Sequence, residues 1–95
     1  MDIAAGDLVQ ATAGRESGKL FYVWEVQDEY LLLADGKSRK IEAPKRKKRK
    51  HTVLVAQGSD RIAEKIRSNE KITNSELRKA LAGYSGEHGN QDQEG

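Results

Sequence analysis

Residues 19–36 read KLFYVWEVQDEYLLLADG. In the first half of this stretch both parities are apolar: Leu20, Tyr22, Trp24 and Val26 on one, Phe21 and Val23 on the other. Successive side chains of an extended chain point to opposite faces. Lys19–Gln27 therefore reads as a strand covered on both sides, as in a small closed barrel or beneath a helix. Its aromatic and β-branched content favours the same state. Phe21 and Trp24 are the expected core residues, Trp24 the largest, with Tyr22 partly exposed. Asp28 and Glu29 turn the chain into a second strand, Tyr30–Ala34. Asp35-Gly36 is a hairpin signal between strand-like runs.

Working outward, Asp7–Ala11 is an earlier strand, and Gly14–Gly18 (GRESG) a turn. On the far side, Lys37–Glu42 reads as a polar fourth strand ended by Pro44, and Thr52–Ala56 as a fifth. The periodicity then becomes helical. Ser59 is placed to cap a helix with Asp60 in its first turn and Ile62 and Ile66 on one face. Thr73 to Glu76 fits a capping box, followed by an apolar stripe of Leu77, Ala80 and Leu81, with Gly83 placed to end the helix. Helices this short need tertiary packing, so their stripes should bury against the barrel or each other. The expectation is a mainly β chain. A small SH3-like five-stranded barrel spans 1–57, a two-helix extension 58–83, and a disordered tail 84–95.

Size and composition set limits. The chain has 95 residues, room for one domain, and no cysteine for disulfides or thiolate metal sites. The opening MDIAAGDLV has neither a basic region nor a long apolar stretch, so no signal peptide is expected. No run approaches the length of a membrane helix. The expected setting is soluble and cytoplasmic.

Charge is distributed unevenly. Net charge is +2, yet residues 37–51 hold nine bases against Glu42, while residues 1–36 hold two bases against seven acids. Within the basic segment, Lys45, Arg46, Lys47, Lys48, Arg49 and Lys50 stand in a row, followed by His51. A local field of this kind attracts a polyanion regardless of the modest net charge. Lys and Arg on phosphates release counterions, and Arg grips a phosphate with two parallel hydrogen bonds. Alternation prevents all six from facing one way, which suits lining a backbone better than reading bases. The alternatives are a solvated loop, a nuclear-localisation signal or an anionic membrane contact. On the fourth strand, Lys37 and Arg39 would share a face and extend the cationic surface while Lys40, also nominated for RNA, points the other way; ordinary strand surface charge is the alternative. The acidic first third would orient the opposite face away from the polyanion.

Gly6–Val23, GDLVQATAGRESGKLFYV, resembles a KOW motif, the RNA-binding element of several ribosomal proteins and of NusG-type transcription factors. Gly6, Leu8, Val9, Gly14, Gly18, Lys19 and Val23 occupy the motif's places, and Phe21 stands where many such motifs carry another glycine. Residues 18–36, GKLFYVWEVQDEYLLLADG, followed by a basic strand, are similar to large-subunit ribosomal proteins of archaea and eukaryotes, which carry a Gly-Lys-Leu strand, a Val-x-Asp turn and an apolar strand ending in Asp-Gly. The chain also resembles the small KOW-containing RNA-binding proteins of Gram-positive bacteria, in which a basic tract and a short helical C-terminus follow the barrel, and the resemblance covers roughly residues 5–82. The resemblance implies RNA contact at the loop Ala13–Gly18, flanked by Arg15 and Lys19. It also implies an RNA partner, most simply ribosomal RNA, and a role beside the translation machinery.

Other chemistries find little in the sequence. His51 adjoins Lys50 and reads as a phosphate contact or plain surface, Ser17 has no histidine nearby, and Asp35 is accounted for by its turn. The metal ligands are unclustered and the glycine spacing is not a phosphate-binding P-loop. The expectation is a monomer, not an enzyme, with no cofactor, metal or small-molecule substrate. Phe21, Tyr22, Trp24 and Tyr30 offer base stacking as an alternative to core packing. A protein-interaction barrel of SH3 or Tudor type, with Glu16, Asp28 and Glu29 facing a peptide, and a transcription-elongation KOW module remain as rival readings.

Overall fold

The computed structural model describes residues 2–83; the tail expected over 84–95 lies outside them. Five strands form one antiparallel sheet: β1 Leu8–Ala11, β2 Leu20–Gln27, β3 Tyr30–Ala34, β4 Lys45–Lys48 and β5 Thr52–Ala56. A 3-10 turn, Arg49–His51, joins β4 to β5. Helix α1 spans Arg61–Arg67, and α2 spans residues 74–83. The fold is mainly β, as its strand-rich first half requires. No helix among the described residues is long and apolar enough to cross a membrane.

The strand order is β4-β3-β2-β1-β5, so β4 and β5 are the two outer strands, yet three residues connect them. In a flat sheet those edges would lie about 19 Å apart, four strand spacings. Three linking residues span at most about 14 Å. The sheet must therefore curl and bring its edges together, an SH3-like barrel left open between β4 and β5.

β2 is covered on both faces. Phe21 and Val23 pack inside the curl with Val9, Ala11, Leu31 and Leu33. Tyr22 packs on the other face with Leu8, Ala34, Ile66, Ile72, Leu77 and Leu81, beneath the helices. The register breaks between Val23 and Glu25, opposite Leu33 and Leu32, which makes Trp24 a bulge. A bulge inserts one residue and so reverses the facing of every strand residue beyond it. Val26 consequently joins the inner cluster, away from the parity it shares in sequence with Tyr22.

Trp24 is therefore only half-buried at the edge of the helix-side cluster, and Tyr22, expected to be partly exposed, is 1% exposed. The Tyr22 hydroxyl donates to Asp60 Oδ2 at 2.7 Å. Burial first, and the Asp60 contact second, push the phenol well above its ordinary pKa. Asp60 also caps α1, accepting from the Ala63 N–H at 2.8 Å, so Asp60 and not Ser59 holds the cap. The capping box of α2 forms as the sequence indicates: Glu76 N–H donates to Thr73 Oγ1, and Thr73 N–H to Glu76 Oε1.

The fourth strand differs from expectation. Lys37–Glu42 forms turns and bends, and the basic tract itself supplies β4, beginning directly after Pro44. The cause is Asp35. Its carboxylate accepts from the Lys37 and Arg39 N–H groups at 2.9 and 2.8 Å and from the Ser38 hydroxyl, winding the chain into a compact loop in place of a tight turn leading straight into a strand. That loop docks on α2: Ile41 N–H donates to Asn74 Oδ1, and the Asn74 amide donates to Glu42. Gly36 makes the approach possible, since a Cβ there would stand 2.3 Å from the Asn74 carbonyl oxygen.

Candidate nucleic-acid interface

Three cationic segments come from separate parts of the chain: the loop Ala13–Gly18 with Arg15 and Lys19, the loop carrying Lys37, Arg39 and Lys40, and the tract Lys45–His51. One carboxylate links them. Glu16, at the centre of the first loop and only 7% exposed, accepts from Arg39 Nε at 3.2 Å and from a second Arg39 nitrogen. The Lys47 ammonium lies 4.0 Å from its other oxygen. The Arg39 hydrogen bond, against the opposing effect of burial, holds the Glu16 carboxyl below its ordinary pKa, with Arg39, Lys45 and Lys47 adding attraction. The loop is tied at its entrance as well, where Thr12 N–H donates to the His51 carbonyl at 2.9 Å.

Gly14 and Gly18 hold left-handed backbone, with φ of 79° and 91°, which closes this loop tightly. Gly18 N–H reaches back to the Ala11 carbonyl and Lys19 N–H to that of Glu16. Gly6, also at positive φ, lies away from the loop, packed against Ala63 of α1. It serves the seam between barrel and helix.

The tract divides by pleat. Lys45 and Lys47 turn toward Glu16, while Arg46 and Lys48 face outward. Lys47 is buried, so the side chain expected on a phosphate is an internal counter-ion. Arg39 is likewise committed to Glu16, with about a third of its side chain exposed. The guanidinium of Arg46 stacks 3.7 Å from the centroid of the Tyr30 ring. Arg49 opens the 3-10 turn, half-buried, its N–H donating to the Glu29 carbonyl. Lys50 is exposed at the turn and His51 half-buried after it. Arg15, Lys19, Lys37, Lys40, Arg46, Lys48 and Lys50 are the exposed cations of the nominated set.

The sequence pointed to none of Glu16's role. It assigned the acids of the first third to an opposite face, whereas this one sits inside the cationic cluster. The available signal was position: an acid enclosed by Gly14 and Gly18, in a chain with a long basic run. The strand identity of the tract also had a signal, since Lys is the residue that natural sheets place on exposed edges, and proline is tolerated at a strand start.

A half-open cleft of about 770 Å³ lies on the helix side, lined by Ile3, Trp24, Glu25, Ile66, Arg67 and Glu70 among others. Arg67 is occupied there, donating to the carbonyls of Ala5 and Gly58 and lying 3.4 Å from buried Asp7.

No model of a known protein family matches the chain, and neither does any curated protein.

Proposed function

We propose that this chain is an RNA-binding module of the KOW type, cytoplasmic and associated with ribosomal RNA or the ribosome. It grips structured RNA through phosphate and shape contacts and works as a monomer without catalysis. The observation that carries this reading is the convergence of three cationic segments on Glu16. A lone basic run is a solvated surface; three basic segments fixed against one another form a shaped one. Glu16 neutralises the inner cations and ties their three segments together, leaving Arg15, Lys48 and Lys50 exposed for a phosphate backbone. RNA duplexes are recognised chiefly by shape and by phosphate and 2′-hydroxyl contacts, which needs such a preset array and no base-reading helix.

The test replaces Arg15, Lys48 and Lys50 with Gln and measures affinity for ribosomal RNA. The reading expects a folded protein that has lost most of its RNA affinity. Unchanged affinity would reject it.

The second reading, a peptide-binding barrel, draws on the Trp24 cleft. Its half-buried indole beside Glu25 and Glu70 suits a cationic segment. Such binding would survive loss of Lys48 and Lys50.

A further inference from the structure

The helices cover only part of the outer sheet face. Tyr22 and Ala34 lie beneath them, but Tyr30 and Leu32, farther along, belong to neither core cluster and remain half-exposed. Across from them on β4 stand exposed Arg46, opposite Leu32, and exposed Lys48, opposite Tyr30. The Arg46 guanidinium is already stacked over Tyr30.

Resting on the RNA-binding reading, we propose that this uncovered face of β3 and β4 is a stacking site for an unpaired base of single-stranded RNA. The geometry meets what such a site requires. A guanidinium 3.7 Å over the centroid of an aromatic ring leaves its far side for a base, and Arg stacks on bases as aromatic side chains do. Leu32 gives an apolar floor beside it. Lys48, one strand position across from Tyr30, is placed for the phosphate that accompanies the base. Glu25 lies on the far side of Leu32, with the Gln27 amide donating to it at 3.3 Å. That carboxylate repels a phosphate backbone and so confines it to the β4 side. Charge on this face is therefore graded, basic along β4 and acidic on β2, and a nucleotide fits it in one sense only: base over Arg46 and Tyr30, phosphate toward Lys48. The grip on structured RNA then includes a loop or bulge nucleotide beside the helix that the phosphate contacts hold.

The discriminating variant is Arg46→Lys, which keeps the charge and removes the planar group. The probes are a short oligoadenylate and a blunt RNA duplex with the same number of phosphates, each titrated across a salt series. The expected result for Arg46→Lys is about a tenfold loss of affinity for the single strand, within the range for one base stack. Its salt slope and its affinity for the duplex should stay unchanged. Tyr30→Leu should repeat that pattern, with thermal unfolding confirming that the barrel persists. Equal single-strand affinity for the parent and Arg46→Lys would overturn the stacking site, as would duplex binding with no single-strand binding, and either would leave the RNA-binding reading standing. Binding of neither probe at low salt would overturn both.

Discussion

Glu16 and Arg39 are joined by two hydrogen bonds across 23 residues of sequence, one of them at 3.2 Å from Nε. With Lys47 beside the same carboxylate, the pair holds the Ala13–Gly18 loop against the strand made by the basic tract. Two of the cations that sequence assigns to RNA are thereby spent inside the protein, and the loop that the KOW resemblance nominates is fixed in place by an acid.

Glu16→Gln should cost about 1–3 kcal/mol, the range for losing a charged hydrogen-bond partner at a buried site. Its effect should depend on pH in a definite sense. The folded carboxyl lies below its ordinary 4.5, so its stabilisation is whole above that value and is lost as the pH falls through the lowered one. Denaturant unfolding of parent and variant should therefore differ at neutral pH and converge in acid. A gap that widens in acid would contradict this assignment.

The tract should behave as two populations. Lys48→Gln and Lys50→Gln should each reduce the salt slope of RNA binding by about one contact and leave stability unchanged. Lys47→Gln should do the reverse, lowering stability while leaving the slope nearly constant, because its ammonium is buried against Glu16. Replacing all six bases at once would confound the two, since it removes an edge strand's internal ion pair together with the surface charge.

Among the aromatics, Phe21→Ala should be the costly truncation, about 3–5 kcal/mol, from a fully buried site. Trp24→Ala should cost clearly less, because the bulge leaves the indole half-exposed at the margin of its cluster. Tyr22→Phe should lose roughly 1 kcal/mol, the hydroxyl's hydrogen bond to Asp60. Thermal or urea unfolding ranks the three.

Gly36→Ala tests the docking of the Asp35 loop on α2. Its φ is 77° and a Cβ would meet the Asn74 carbonyl at 2.3 Å, so the helix must shift. The expected signature is lowered stability, with amide exchange accelerated at Ile41, whose N–H donates to Asn74.

Most of the barrel was legible because β2 and β3 are long apolar runs, and a strand buried on both faces is the simplest way to shelter such a run from water. Thr52–Ala56 and Tyr30–Ala34 form over the residues that the pattern indicates. The fourth strand was not legible, because its identity depends on the Asp35 loop consuming Lys37–Glu42, a matter of side-chain-to-backbone bonding that periodicity does not register. The bulge at Trp24 is equally silent in sequence, and it moves Val26 to the inner face. The cationic nature of the site could be read from composition. Which cations face solvent could not, because a single carboxylate distant in sequence decides it.

The central claim is that the outward cations of a fixed surface grip RNA. The most direct test is titration of the protein with ribosomal RNA across a salt series, with double-stranded DNA alongside. A steep salt slope together with a clear preference for RNA is the expected result, charge supplying the affinity and the shaped surface the selectivity. Absence of binding at low salt would contradict the account.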